Sequence, residues 1–81
     1  MRTVPLADVR IGPQYHPTRL WTDSAALIWV EYYRGQIRNG KELEPITVDA
    51  RMFIVDGHHR WYAHVLEKCE TIRVIVSSTG R

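Results

Sequence analysis

Between Ile54 and Trp61 the chain reads Ile-Val-Asp-Gly-His-His-Arg-Trp, which sets a carboxylate, a glycine, two imidazoles and a guanidinium side by side at Asp56, Gly57, His58, His59 and Arg60. An apolar stretch precedes this run and helical spacing follows it, so a break at Gly57 is expected to open a helix. The first backbone N–H groups of such a helix have no partner within it, and its dipole adds partial positive charge at the same end. That arrangement suits an anion, phosphate above all. Acidic residues normally occupy a first helical turn. Here His58, His59 and Arg60 occupy it instead, and each cation stacked on the positive dipole end costs about 0.3 to 1 kcal/mol unless something negative sits opposite. A bound anion removes the conflict. Asp56 as a plain N-cap beside two solvated histidines would explain the carboxylate but not the crowding of cations.

Other residues carry weaker chemistry. His58, His59, His64 and Cys69 lack a recognised zinc spacing, and His59 and His64, five positions apart, fall about 140° out of register on a helix. Arg19 follows the Pro17 break closely enough to bend over the turn as a second, bidentate phosphate clamp. Trp21, Trp29, Tyr32 and Tyr33 offer rings for base stacking or a partner surface. Core packing accounts more simply for Trp29 and Tyr33, while Tyr32 or Trp21 is the candidate for a homodimer face.

The elements that must position these groups are few. At 81 residues the chain is expected to form one domain over 1–81, with a core only marginally sufficient. A hydrophobic fraction of 44% and a charged fraction of 25% are ordinary for a globular protein, and no apolar run is long enough to cross a bilayer. Met1 to Pro5 lacks an apolar signal region, and the single Cys69 cannot form an internal disulfide, which points to the cytoplasm. Eleven Lys and Arg against nine Asp and Glu give +2 with no basic stripe, so DNA is possible as a partner but not favoured.

Thr3 to Val9 reads as a strand or extended arm, with Pro5 tolerable only near an edge or end. Thr22 or Asp23 is placed to cap a helix running to about Arg38, stopped by Asn39-Gly40. Its core face is expected to hold Ala26, Trp29, Val30, Tyr33 and Ile37. Ile46 to Val48 and Met52 to Val55 have hairpin spacing, a helix follows from about His58 to Lys68, and Thr71 to Val76 is a branched-residue strand. The order is β-α-β-β-α-β, an α+β unit.

Glu44-Pro45-Ile46-Thr47-Val48, then Phe53 to Trp61, then a short helix and Thr71 to Val76 together resemble the ParB and sulfiredoxin fold superfamily, over most of the chain. That group includes the ParB N-terminal domain, sulfiredoxin and the free serine kinases. The resemblance implies a site for the phosphates of ATP, ADP or CTP at the glycine turn, with Mg²⁺ in the nucleotide-using members. ParB proteins carry a glutamate and an arginine after the glycine, and sulfiredoxins carry their catalytic cysteine there. The free serine kinases are most similar, with an Asp-Gly-His-His-Arg turn. His58 stands where the sulfiredoxin cysteine would be, so sulfinic acid repair is not expected. These 81 residues also leave no room for the helix-turn-helix domain of a partitioning ParB. The catalytic glutamate implied by the kinases has no counterpart in Gln14-Tyr15-His16-Pro17, where His16 is the residue able to act as base.

The expected function is therefore binding of a nucleoside di- or triphosphate with Mg²⁺, followed by hydrolysis or phosphoryl transfer to a small hydroxyl acceptor. Asp56 is expected to hold the metal or take a proton. The amides of Gly57 and His58 cradle phosphate, and His59 and Arg60, with Arg19, neutralise charge on the transferred group. Two rivals remain: a non-catalytic nucleotide-binding or protein-interaction module, and a ParB-like nuclease or DNA-associated protein. If Gly57 serves only to admit phosphate, Gly57→Val abolishes binding and leaves the fold intact.

Overall fold

The structure is a computed structural model that describes residues 1–12 and 24–77. Arg19, His16, Trp21 and the Thr22/Asp23 cap lie outside the described residues. Strand β1 spans Arg2–Pro5 and runs into a 3₁₀ turn at Leu6–Asp8. Helix α1 (Ser24–Arg38), strands β2 (Ile46–Val48) and β3 (Ile54–Asp56), helix α2 (His58–Leu66) and strand β4 (Thr71–Val76) follow. This is the β-α-β-β-α-β order read from the sequence, in the α+β class.

The four strands form one mixed sheet in the order β1-β4-β2-β3. β4 pairs antiparallel with β1 and parallel with β2, and β2 pairs antiparallel with β3. Pro5 sits on an edge strand, where its missing N–H breaks no central ladder. Alternation along the strands sends Val4, Ile46, Val48, Ile54, Ile72 and Val74 to one buried face, with Val9 joining them. Leu6, Met52, Trp61 and Val76 pack at the margin of this core.

Local chemistry explains where elements stop. Asn39-Gly40 ends α1 as expected: Gly40 takes φ 77°, its N–H donates to Ile37 O at 3.0 Å, and the Lys41 N–H donates to Gln36 O at 3.0 Å. That is a Schellman motif. The same motif closes α2 with Lys68 at φ 57°, as its N–H reaches Val65 O and the Cys69 N–H reaches His64 O. The helix thus ends at Leu66 rather than Lys68. β1 is also shorter than expected, ending at Pro5 where the chain turns into the Leu6–Asp8 segment. β3 begins at Ile54 instead of Met52, because Met52 takes φ 70° and the Asp49 carboxylate accepts the N–H groups of Arg51 and Phe53 at 2.9 and 3.0 Å.

Helix α1 packs chiefly on α2, with Val30 and Ala63 fully buried. Tyr33 and Ile37 are half-buried, in keeping with the expected stripe. Trp29 is not: it is 52% exposed and lies against the rings of Tyr32 and Tyr33. The stripe follows Val30 and Ile37, and Trp29 is turned about 100° from Val30 around the axis. Glu67, just past the end of α2, is clasped by Arg34 Nε at 2.7 Å and Arg38 Nη2 at 2.9 Å from α1.

Those two guanidiniums, Arg34 first, hold the Glu67 carboxyl below the usual glutamate range. A carboxyl with a lowered folded-state pKa contributes stability that is complete above its unfolded value and is lost as pH falls through the folded one. The melting temperature of Glu67→Gln should therefore lie below wild type at neutral pH, and the gap should close as pH drops below about 5. Thermal melts at a series of pH values measure this. A gap that stays constant down to pH 3 would show that the clasp is not electrostatic.

Candidate functional site

The Asp56–Arg60 turn stands where β3 passes into α2. Gly57 takes φ 100° and ψ 28°, and α2 begins at His58 with no side-chain cap and no acidic residue in its first turn. The first intrahelical bond runs from the Trp61 N–H to Gly57 O at 2.9 Å. The amides of His59 and Arg60 precede it and have no acceptor four residues back within the helix. Asp56 does not cap the helix. Its carboxylate, 80% exposed, lies 3.9 Å from Arg60 Nη2.

Arg60 is the fixed cation of the turn, with its side chain only 16% exposed. Glu44, 87% exposed in the segment leading to β2, places Oε1 at 3.5 Å from Arg60 Nη1. Both carboxylate contacts are longer than the roughly 2.7–2.9 Å of tight charge-assisted bonds, so the guanidinium keeps donor capacity for a phosphate. His58 differs from expectation: burial, with His59 acting in the same direction and Asp56 against it, pushes its imidazole pKa down and favours the neutral form. His58 therefore contributes less positive charge than its sequence position suggests. His59 is half-buried on the same turn.

Gly57 has a second job that the motif does not reveal. A Cβ built on it would lie 2.7 Å from Ile46 Cγ2 and 2.9 Å from Arg60 Nη2. The turn is pressed against fully buried Ile46 on β2, so the expectation that Gly57→Val leaves a sound fold is corrected: fold and site share this glycine.

The structure also brings in residues from outside the turn. Glu44 reaches Arg60 from another element, and His64, one turn on, has Nδ1 2.7 Å from Arg60 O. A carbonyl only accepts, so Nδ1 carries the proton of that bond. Glu42, two residues from Glu44, goes instead to Arg73 Nη1 at 3.2 Å. Among the described residues no three His, Cys, Asp or Glu side chains gather as a metal cluster. The cavity beside the segment between α1 and β2 and the one beside Leu6 and Ala7, both walled by described residues, are lined by none of Asp56, Gly57, His58, His59 and Arg60. No helix among the described residues is long and apolar enough to cross a membrane.

Neither a family model nor a curated protein matches the chain. Among solved structures it is similar to a Pnob8-like ParB-N domain, with a TM-score of 0.71 and 12% identity over 93% of this chain. The match spans 28% of that longer chain. The fold is thus ParB/sulfiredoxin-like, as the sequence resemblance implies; at 12% identity the likeness speaks for the fold alone.

Proposed function

We propose that the Asp56–Arg60 turn binds a nucleoside di- or triphosphate, ATP, ADP or CTP, together with Mg²⁺, and acts on its phosphate bond. The observation that carries this reading is the start of α2: uncapped, free of acidic residues, and flanked by a half-buried Arg60 whose carboxylate partners sit at 3.5 and 3.9 Å. The amides of Gly57 and His58 are the proposed donors to a phosphate, and Arg60 and His59 neutralise its oxygens. Arg19, in the segment outside the described residues, is the proposed second clamp.

Mg²⁺ usually shares one or two carboxylates with substrate phosphates, and the exposed carboxylate of Asp56 fits that role. The metal would supply charge neutralisation at the phosphoryl group. In the reaction the oxygen of water or of a small hydroxyl acceptor bonds to the terminal phosphorus, the bond to the leaving phosphate oxygen breaks, and Asp56, as the alternative to holding the metal, takes the proton from the attacking oxygen. A non-catalytic module, holding a nucleotide or docking a partner protein, is the second reading. It is favoured by the exposure of Asp56 and Glu44, both lying against Arg60. The nuclease or DNA-associated reading shares the ParB-like fold, and its cations stay scattered along the chain.

Calorimetric titration with ATP, ADP, CTP and GTP, with and without Mg²⁺, tests the binding. A phosphate-release or phosphotransfer assay then separates enzyme from module. Asp56→Asn should remove Mg²⁺-dependent turnover, about a hundredfold or more, while keeping most nucleotide affinity, because the cations of the turn remain. Turnover untouched by that change would move the catalytic carboxylate to Glu44, the nearest alternative.

A further inference from the structure

Helix α1 buries one side against α2 and leaves an apolar strip on the other. Ile28, Trp29 and Tyr32 are 70%, 52% and 55% exposed, and the rings of Trp29 and Tyr32 meet edge to face at 6.0 Å. At about 100° of turn per residue, Ile28 and Tyr32 each stand roughly 160° from the buried Val30, on either side of the line opposite it. Trp29, about 100° from Val30, widens the strip on one side. Large apolar side chains grouped in this way mark an interaction surface, where single scattered ones do not.

Charge is kept off the strip. The charged residues of α1 are Glu31, Arg34 and Arg38, and all fall about 40–100° from Val30 on the side away from Trp29. There Arg34 pairs with Glu31, and Arg34 and Arg38 clasp Glu67. From Gly35 round to Trp29, about 120° of the helix surface is uncharged and holds Ile28, Tyr32 and Gln36. A nucleic acid finds no cation there for its phosphates, and the strip lacks the Lys- and Arg-rich flanks with which surface helices grip anionic lipid. A second copy of the strip meets no like charge, and two-fold pairing sets Tyr32 near the axis with Ile28 and Trp29 of each copy against the other. Half-exposed Trp and Tyr rings offer roughly 100 Å² each and Ile28 a similar area, so the pair removes about 600 Å² from water. That lies below the about 1,200 Å² at which standard interfaces begin, so the association is a weak one.

We propose that this strip of α1 is the interface of a weak two-fold homodimer, separate from the glycine turn. Sedimentation equilibrium of the full chain from about 5 to 500 µM tests it, with a dissociation constant on the order of 100 µM expected. Ile28→Lys and Tyr32→Ala alter exposed side chains, so both variants should melt with wild type. Each lesion is present in both copies and should weaken the dimer about tenfold or more. Ile75→Thr, an exposed apolar position on β4, should leave association unchanged. In amide-resolved NMR the shifts seen on dilution should gather at Ile28, Trp29, Tyr32 and Gln36. A chain that stays monomeric at the highest concentration, association that both α1 variants leave intact, or an equal loss in Ile75→Thr would each overturn the assignment.

Discussion

Gly57→Ala is expected to lower the melting temperature by roughly 8–40 °C, and Gly57→Val to leave little folded protein at 25 °C. Two costs add. An L-residue held at φ 100° loses about 1–2 kcal/mol, and forcing a Cβ to 2.7 Å from Ile46 Cγ2 costs about 1–3 kcal/mol more. A domain of this size loses about 4–8 °C per kcal/mol and has only about 5 kcal/mol or so to lose. Ile46 is fully buried and cannot move aside without disturbing the core. The β-branched valine fits positive φ worse than alanine does. Circular dichroism melts of both variants measure the effect. A Gly57→Ala protein that melts with wild type would mean that the turn does not have the conformation described.

Arg60→Ala should weaken nucleotide binding roughly ten- to a hundredfold, the value of a lost charge-assisted phosphate contact, while Lys68→Ala changes it little. Lys68 lies beyond the far end of α2, at the left-handed position of its Schellman turn. Removing Arg60 frees Asp56 and Glu44, yet both are largely exposed and stay hydrated, so the variant should fold and the loss should appear in affinity. The salt dependence of binding should flatten in Arg60→Ala and persist in Lys68→Ala. Calorimetry at two salt concentrations reads both effects. Equal losses from the two substitutions would remove the turn from consideration as the phosphate site.

The sequence marked what local chemistry dictates. Asn39-Gly40 stops α1 because only a residue at ease at positive φ suits that position, and Thr71 to Val76 is a strand because branched residues fit an alternating, half-buried surface. The clustering of Asp56 to Arg60 was equally visible. What stayed hidden depends on residues distant in the chain. Trp29 lies on the margin of the α1 stripe, and which margin is buried is decided by where α2 packs. Met52 and Lys68 adopt positive φ although neither residue type announces it, so β3 starts late and α2 ends early. The alternative of Asp56 as a plain N-cap does not hold, since Gly57 itself heads the helix. Glu44, the pressure of Ile46 on Gly57 and the clasp on Glu67 all arise from pairing between elements, which no spacing rule encodes.

Strand β4 sits between β1 and β2, two strands that do not pair with each other. Val74 alone is registered with Arg2 on one side and Ile46 on the other. During synthesis neither of those earlier strands finds this partner until residues 71–76 have emerged, so the sheet closes late and through contacts far apart in sequence. Such topologies fold more slowly than helical bundles of the same size. Until that moment the β2–β3 hairpin and the α1–α2 pair must rely on their own weaker contacts, with the inner edge of β2 open to other chains. Arrival of β4 makes the two halves of the sheet interdependent, and a lesion in this one strand is felt at both edges.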